Sequence, residues 1–331
     1  MALRPAGLAW YGDDMTHARP TGLVLSLAVL GCEPPPAESP DGSTASASTS
    51  VAVTASSSGG GGAGIFDPCK RCGAPAAVGT LASPDLVEVS GIAASALHPD
   101  VYYVHNDSGD GARLFAIDAS GKERGRFDVD GAFAVDWEDA AAGPCPEGRC
   151  VYLADIGDNL AKRSSCTVYR VPEPKTLVGT QSVKAEPLHF TYPDGSRDAE
   201  TLLVHPTTGE LFIVSKVVVG ASTLYRFPMP LTPGATVVLE KLGEVPSPSG
   251  LTRFTSGSIH PQGKGILLRA YTMLYHYPLE GSVAEALAAE PCSAPVAVEK
   301  QGEAVEWTAS GDGYVTISEG ASAPVNRVGC P

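Results

Sequence analysis

The sequence lacks the short motifs that mark several large enzyme classes. It contains no GxSxG nucleophile elbow, no HExxH metal-binding pair, no P-loop and no GxGxxG segment that follows a strand. These motifs position a nucleophile, a zinc ion or a phosphate group, so their absence argues against the enzymes built on them. The seven histidines are scattered along the chain, which argues against a histidine-rich metal site.

Positive charge is also scarce. The 331 residues include 23 Lys and Arg against 37 Asp and Glu, for a net charge of −14. A surface with this charge repels the phosphates of nucleic acids and the head groups of anionic lipids. We therefore expect no nucleic-acid partner and no polybasic membrane attachment, and we expect cations or neutral ligands instead.

No hydrophobic run is long enough to span a bilayer. The apolar stretch within residues 21–32 covers only about ten residues and resembles the core of a signal peptide. Its Leu-Gly-Cys ending resembles the lipobox of bacterial lipoproteins, which implies cleavage before Cys32 and a lipid on that cysteine. Because Asp13 and Asp14 do not suit a signal peptide, we expect the true start at Met15.

These features predict three regions. Residues 1–32 are read as a signal peptide with a lipobox, or alternatively as a buried segment of a cytosolic protein. Residues 33–64 consist almost entirely of Pro, Ser, Thr, Ala and Gly and are predicted to be a disordered tether with a reach of about 30 Å. Residues 65–331 then form the folded domain, held outside the cytoplasm by the lipid at the periplasmic face or the outer membrane.

The folded domain is predicted to be all-β. Gly (37) and Pro (28) are abundant, and a single helix is expected, at residues 282–289. A group of three strands recurs five times, and its equivalent positions are separated by 48, 62, 56 and 47 residues. This period predicts a five-bladed β-propeller, closed by an outer strand from residues 78–87; a β-sandwich is the alternative. The matched positions are Ser90, Glu138, Glu200, Ser256 and Glu303.

Seven cysteines follow Cys32, an odd number that leaves at least one unpaired in an oxidising compartment. The spacing alone does not determine the connectivity. Cys69 and Cys72 are spaced as a CxxC motif, which has a second interpretation as half of a zinc site or a redox motif. The candidate disulfides are Cys145 with Cys150 across a hairpin, Cys292 with Cys330 at the C-terminus, and Cys69 with Cys72 within one turn.

Acidic residues recur at the start of the inner strands, which line the channel of a propeller. Carboxylates gathered at one mouth require a cation, basic partners or raised pKa values. The alternative is that these acids cap turns and pair with Lys216, Arg269 or Arg197. The predicted ligand-binding residues of the mouth are Glu88, Asn106, Asp107, Asp136, Glu138, Asp155, Asp198, Glu200, Lys216, Arg269, Glu303 and Glu319.

Oxygen ligands favour Ca²⁺ or Mg²⁺ over zinc. The sequence predicts that such an ion is held by Glu88, Glu138, Glu200 and Glu303.

Several strings resemble a group of secreted bacterial propeller proteins of unassigned function. They are HNDSGD (105–110), DWED (136–139), DIGDN (155–159), YPDGSRDAE (192–200) and QGEAVEW (301–307), and the resemblance spans residues 79–328. More distantly, the chain is similar to gluconolactonase-like and phytase-like propellers. That similarity implies acidic residues around the channel, often with a divalent cation.

Three functions fit this pattern. The first is a lipid-anchored binding module whose acidic mouth takes a small molecule, a glycan or a protein. The second is a metal-dependent hydrolase of a lactone, ester or phosphoester, with Lys216 and Arg269 steadying an anionic substrate. The third is a purely structural envelope protein.

Overall fold

The structure, a computed structural model, describes residues 66–331. The predicted signal peptide, the lipidation of Cys32 and the tether at 33–64 lie outside the described residues. Within the described part of the chain, no helix is long and apolar enough to cross a membrane.

The first half of the domain is a series of short strands with one helical turn at its start. Strands of this length are typical of propeller blades, in which each strand runs once between the two faces of the ring. The elements are α1 (Pro68–Arg71), β1 (Ala76–Thr80), β2 (Val89–Ala94), β3 (Val101–Asn106), β4 (Arg113–Asp118), β5 (Glu123–Asp130), β6 (Trp137–Cys145), β7 (Gly148–Asp155), β8 (Cys166–Pro172), β9 (Thr180–Lys184) and β10 (Glu186–Thr191).

The second half continues in the same way. The helix predicted at residues 282–289 is confirmed as α2, and it begins with a capping box between Ser282 and Glu285. The elements are β11 (Ala199–Val204), β12 (Leu211–Ser215), β13 (Ser222–Arg226), β14 (Thr236–Val238), β15 (Glu240–Val245), β16 (Phe254–Ile259), β17 (Gly265–Ala270), β18 (Met273–Pro278), α2 (Val283–Ala288), β19 (Cys292–Ser293), β20 (Gly302–Trp307), β21 (Gly313–Ser318) and β22 (Pro324–Gly329).

The strands form five sheets, which confirms the five-bladed propeller. From the channel outwards, the blades are β2-β3-β4-β5-β9, β6-β7-β8-β10-β14, β11-β12-β13-β15, β16-β17-β18-β19 and β20-β21-β22-β1. The inner strands β2, β11, β16 and β20 are buried at every residue, because neighbouring blades cover both of their faces.

Two blades have a fifth strand, which explains the two longest repeat spacings. Strand β9 pairs parallel with β5, although it follows the third strand of the next blade. Strand β14 pairs parallel with β10 in the same manner. Each extra strand therefore ties one blade to the connection between the third and fourth strands of the following blade.

The ring is closed by a strand from the N-terminal side, as predicted. Strand β1 pairs antiparallel with β22 and completes the blade whose other three strands come from the C-terminus. It spans Ala76–Thr80, so it begins before the predicted segment 78–87. Closure leaves the propeller without an open junction between its first and last blades.

The disulfide predictions are right for one pair and wrong for two. Cys145–Cys150 closes the β6–β7 hairpin as predicted. The other bonds are Cys69–Cys292 and Cys72–Cys330, not Cys69–Cys72 and Cys292–Cys330. The helical turn α1 lies against two different chain segments, so its cysteines bond to separate partners. Among the described cysteines, Cys166 is unpaired and buried.

Candidate functional site

The mouth of the channel is shaped by a bulge that recurs in every blade. Each inner strand has a β-bulge at its second residue, where the pairing with the next strand shifts by one. Bulges turn a side chain away from its regular direction and are common next to functional sites. The bulged residues are Ser90, Glu138, Glu200, Thr255 and Glu303.

The fourth position differs from the sequence prediction by one residue. Strand β16 bulges at Thr255, whereas the repeat spacing selected Ser256. Ser256 instead belongs to the layer below the mouth, where its hydroxyl donates to Asp139 Oδ1 at 3.0 Å. The hydroxyl of Thr255 donates to the carbonyl of Gly302 at 3.0 Å and so links two blades.

Three carboxylates meet at one side of the mouth. Asp107 follows β3, Asp136 precedes β6, and Glu138 is the bulged residue of β6. One oxygen from each lies within 4.8 Å of the other two. Two oxygens on opposite sides of a Ca²⁺ ion are separated by about 5 Å, so this spacing suits a shared divalent cation.

Gly157 forms the wall behind two of these carboxylates. A Cβ atom at this position would lie 2.2 Å from Glu138 Oε1 and 2.4 Å from Asp136 Oδ2. Its backbone N–H donates to the carbonyl of Asp136 at 3.2 Å. Only glycine therefore allows both carboxylates to approach this turn, a requirement that the DIGDN string did not reveal on its own.

Burial and neighbouring negative charges act together on the cluster. Burial raises the pKa of the Glu138 carboxyl well above its usual value, and Asp107 and Asp136 raise it further. Burial and Asp107 also raise the pKa of Asp136. Each of these groups binds a proton or a cation more readily than an isolated carboxylate does.

The predicted metal set of Glu88, Glu138, Glu200 and Glu303 is only partly brought together. Glu138 lies in the cluster, but its neighbours there are Asp107 and Asp136. The side chain of Glu88 is exposed, and Glu200 forms an ion pair with Lys216. The pair of Glu200 with Lys216 is one that the alternative interpretation of these acids had named.

Glu303 and Glu319 lie on the blade that closes the ring. Burial raises the pKa of Glu303 to about 7, while the charge of Lys216 acts in the opposite direction. The pKa of the half-buried Glu319 is raised by burial and by the charges of Asp107 and Glu88. These carboxyls extend the negative field of the mouth beyond the three-residue cluster.

Several other predicted ligands serve the loops themselves. Asn106 accepts from the N–H groups of Val87 and Glu88 and donates to the carbonyl of Asp85. Such bonds hold the segment that enters β2, so Asn106 positions the mouth rather than facing a ligand.

The carboxylates of Asp155 and Asp198 also accept hydrogen bonds from the loops around the mouth. Asp155 Oδ1 accepts from the N–H of Asp136 at 3.0 Å and from Arg163 Nη1 at 2.8 Å. Asp198 Oδ1 accepts from the N–H of Asp158 at 2.9 Å. Arg163, which the sequence did not single out, is the cation that stabilises this side of the mouth.

Arg269 does not reach solvent at the mouth, contrary to its predicted position. Its side chain is fully buried and forms an ion pair with Glu299. A Cβ atom on Gly302 would lie 1.8 Å from Arg269 Nη2, so the guanidinium packs tightly against the fifth blade. Arg269 is therefore a buried residue between two blades, and a contact with an anionic substrate is unsupported.

Comparisons with known proteins provide no function for this chain. No protein-family model matches the chain, and no curated protein matches it. Many solved structures match, among them the apo-form crystal structure of the soluble aldose sugar dehydrogenase from Escherichia coli. The match has 9% sequence identity and a TM-score of 0.47, and covers 78% of this chain and 99% of that chain. We transfer no substrate, cofactor or residue role from it.

Proposed function

We propose that the propeller is a binding module whose channel mouth holds a divalent cation, Ca²⁺ or Mg²⁺, beside a docking surface for a larger ligand. The observation that carries this proposal is the cluster of Asp107, Asp136 and Glu138. Within residues 66–331, the side-chain oxygens of Glu138 accept no hydrogen bond that would stabilise their charge. A cation would supply that stabilisation, since buried carboxylates without partners are costly.

Apolar side chains on the mouth-side loops support the docking surface. These loops lead into inner strands or connect the second and third strands of a blade, so they lie on the same face as the carboxylates. Large apolar side chains that are exposed together on one face of a protein often mark an interaction site, whereas single exposed apolar residues do not. They are Phe133, Val135, Leu160, Val218, Val219 and Leu251, each between 58% and 75% exposed.

The same face contains a cavity of about 310 Å³ that could receive part of a ligand. It lies between the third and fourth blades and is lined in part by Val218, Leu251 and Tyr271. The ammonium of Lys216 sits 5.5 Å from the centre of the Tyr271 ring, which connects the cavity to the mouth. A glycan or a protein side chain with an apolar face fits this combination of surfaces.

We further propose that the module acts outside the cytoplasm, anchored to the membrane through a lipid on Cys32. Three disulfides support an oxidising compartment. The lipobox-like sequence before Cys32 supports the anchor. Mass spectrometry of the protein purified from membranes should find a lipidated Cys32 as the first residue; an unmodified N-terminus upstream of it would contradict the anchor.

The cation site can be tested by calorimetric titration of EDTA-treated, disulfide-intact protein with CaCl₂ and with MgCl₂. We expect one ion per domain, and at least about a tenfold loss of affinity in Asp136→Asn and Glu138→Gln, which remove ligand charge. Gly157→Ala should weaken binding as well, because its methyl group displaces both carboxylates. Asp128→Asn, an exposed acid on β5, is the matched control and should bind like the unaltered protein.

Absence of binding of either ion would contradict the cation site and return the acids to a structural role. A structural envelope protein would then be the better interpretation.

A metal-dependent hydrolase is the second candidate, favoured by one observation. Glu303 has a pKa of about 7 on the same mouth, which suits a group that accepts and returns a proton near neutral pH. The test is an assay of the Ca²⁺- or Mg²⁺-loaded protein on lactone, ester and phosphoester panels, with Glu303→Gln as the comparison. Turnover that does not depend on Glu303 would remove that residue from the mechanism, and no turnover would remove the hydrolase.

A further inference from the structure

A second cavity lies at the end of the channel opposite the mouth. It has a volume of about 190 Å³ and is lined by residues of all five blades. One residue from each blade illustrates this arrangement: Ser95, Arg149, Val204, Ile259 and Glu306. Because every blade contributes, the cavity is a product of ring closure and not of any single loop.

An acidic and a basic side chain line this cavity without forming an ion pair with each other. Glu306 is only 8% exposed, and its Oε1 accepts from Ser258 Oγ at 3.1 Å. Arg149 is half-buried, and its Nε is shielded from solvent without an acceptor among the described residues. Neither side chain belongs to an ion pair within residues 66–331, although buried charges are normally paired.

Another carboxylate at the same end of the channel, that of Glu173, has all the hydrogen-bond donors that it needs. Glu173 Oε1 accepts from the Ser95 hydroxyl, from the N–H of Ala96 at 3.0 Å and from the N–H of Leu97 at 3.1 Å. These bonds fix the turn after β2 and leave Glu173 no role toward a ligand. The single hydrogen bond of Glu306 stands in clear contrast.

We propose that this cavity binds a small zwitterion of the α-amino acid class, with its carboxylate on Arg149 and its ammonium on Glu306. An arginine fork matches a carboxylate in geometry and charge. The apolar walls formed by Val204 and Ile259 suit a short aliphatic side chain. The volume is below that of a drug-sized pocket, which restricts the ligand to few atoms.

Burial raises the pKa of the Glu306 carboxyl well above its usual value, and the hydrogen bond from Ser258 and the charge of Arg149 oppose this effect. An ammonium group placed beside Glu306 would favour the ionised carboxylate in the same way. The bound ligand would thus complete the charge pairing that the protein leaves open.

The experiment is a calorimetric titration of the full, disulfide-intact protein with glycine and with L-alanine at millimolar concentrations, compared with acetate and methylammonium. We expect saturable binding of one amino acid per domain, and binding of the two single-charge probes weaker by at least about tenfold, since each engages one charge only. No saturable binding of either amino acid would overturn the proposal. Equal binding of acetate would also overturn it, by reducing the cavity to an anion site.

Substitutions then assign the contacts. Arg149→Gln and Glu306→Gln should each lower the affinity for L-alanine by at least about tenfold, whereas Arg124→Gln, an exposed residue on the fourth strand of the first blade, β5, should not. Unchanged affinity in both cavity variants would place the ligand elsewhere. Arg149→Lys, which keeps the charge but not the fork, serves if Arg149→Gln fails to fold, and it should weaken binding of L-alanine more than it weakens binding of methylammonium.

The mouth and the cavity can be separated in the same set of titrations. Asp136→Asn should reduce binding of Ca²⁺ and leave binding of L-alanine intact, and Arg149→Gln should do the reverse. Loss of amino-acid binding in Asp136→Asn would show that the two ends of the channel are not independent, and would contradict the assignment to Arg149 and Glu306.

Discussion

Glu138 and Asp139 are adjacent carboxylates with opposite surroundings. Asp139 is fully buried and accepts four hydrogen bonds, from the N–H groups of Ala140, Leu202 and Gly257 and from the Ser256 hydroxyl, at 2.9 to 3.3 Å. The carboxylate of Glu138 faces the mouth and accepts none within residues 66–331. The bulge at Glu138 separates the two layers, since it sends consecutive acids to different levels of the channel.

The contrast distinguishes carboxylates that hold the propeller together from carboxylates that are free to bind a ligand. Asp139 ties its own blade to the third and fourth blades across the axis, so its role is to hold the ring together. The Glu138 carboxylate has no hydrogen-bond donor and no ion-pair partner within residues 66–331, and the charge of Lys216 offsets its burial only in part, so it is open to a ligand. The two residues have the same charged group, and the number of hydrogen-bond donors around that group is what distinguishes their roles.

The largest effect should come from Asp139→Asn. An amide group cannot accept with both of its atoms, so at least two of the four buried donors lose their partner, at about 1–3 kcal/mol each. We expect the free energy of unfolding to fall by about 3 kcal/mol or more, measured by urea denaturation. A loss below about 1 kcal/mol would mean that Asp139 does not hold the blades together.

A smaller effect should appear as a dependence of stability on pH. The pKa of Glu303 is about 7 in the folded protein and near 4.5 when exposed, so folding favours the protonated form. This contribution is complete below pH 4.5 and is lost as the pH rises through 7, by at most about 3 kcal/mol. Unfolding followed by denaturant in EDTA from pH 5 to 8 should show this decline.

Glu303→Gln should flatten the pH profile, because the amide does not titrate. Saturating Ca²⁺ should flatten it too if the cation compensates the carboxylates of the mouth. An identical decline in Glu303→Gln would assign the pH dependence to other groups, such as Glu138 or Asp136, whose pKa values are also raised.

The smallest effect on stability should come from Glu138→Gln, the counterpart of Asp139→Asn. It removes a charge that lacks donors and lies beside Asp107 and Asp136, so without a cation the free energy of unfolding should change by less than about 1 kcal/mol. Denaturation in EDTA tests this expectation. A loss as large as that of Asp139→Asn would abolish the distinction between the two layers.

Much of the fold could be predicted because its signals are local. Strand period, turn residues and the spacing of acidic positions recur along the chain, and they yielded the five blades, the closing strand and α2. The two exchanged strands β9 and β14 were missed, since parallel pairing with another blade leaves no mark in a short segment. The disulfide partners of Cys69 and Cys72 were missed for the same reason, because they depend on which strands lie against α1.

The candidate site was predictable in kind and not in detail. Asp107, Asp136 and Glu138 were all among the expected residues of the mouth, but Asp139, Gly157 and Arg163 were not. Asp139 lies within the DWED string beside the residue that was selected. Simple alternation of strand faces could not show that a bulge separates it from Glu138.

The sequence by itself determined the number of blades, the acidic character of the mouth and an odd number of cysteines, since these follow from repeat period and composition. Only the tertiary structure decided which acids are paired, which are hydrogen-bonded and which are left open. Those outcomes depend on distances of a few ångströms across a channel whose walls come from all five blades. The ion pair of Glu200 with Lys216 and the hydrogen bonds of Asp139 to the third and fourth blades are contacts of that kind.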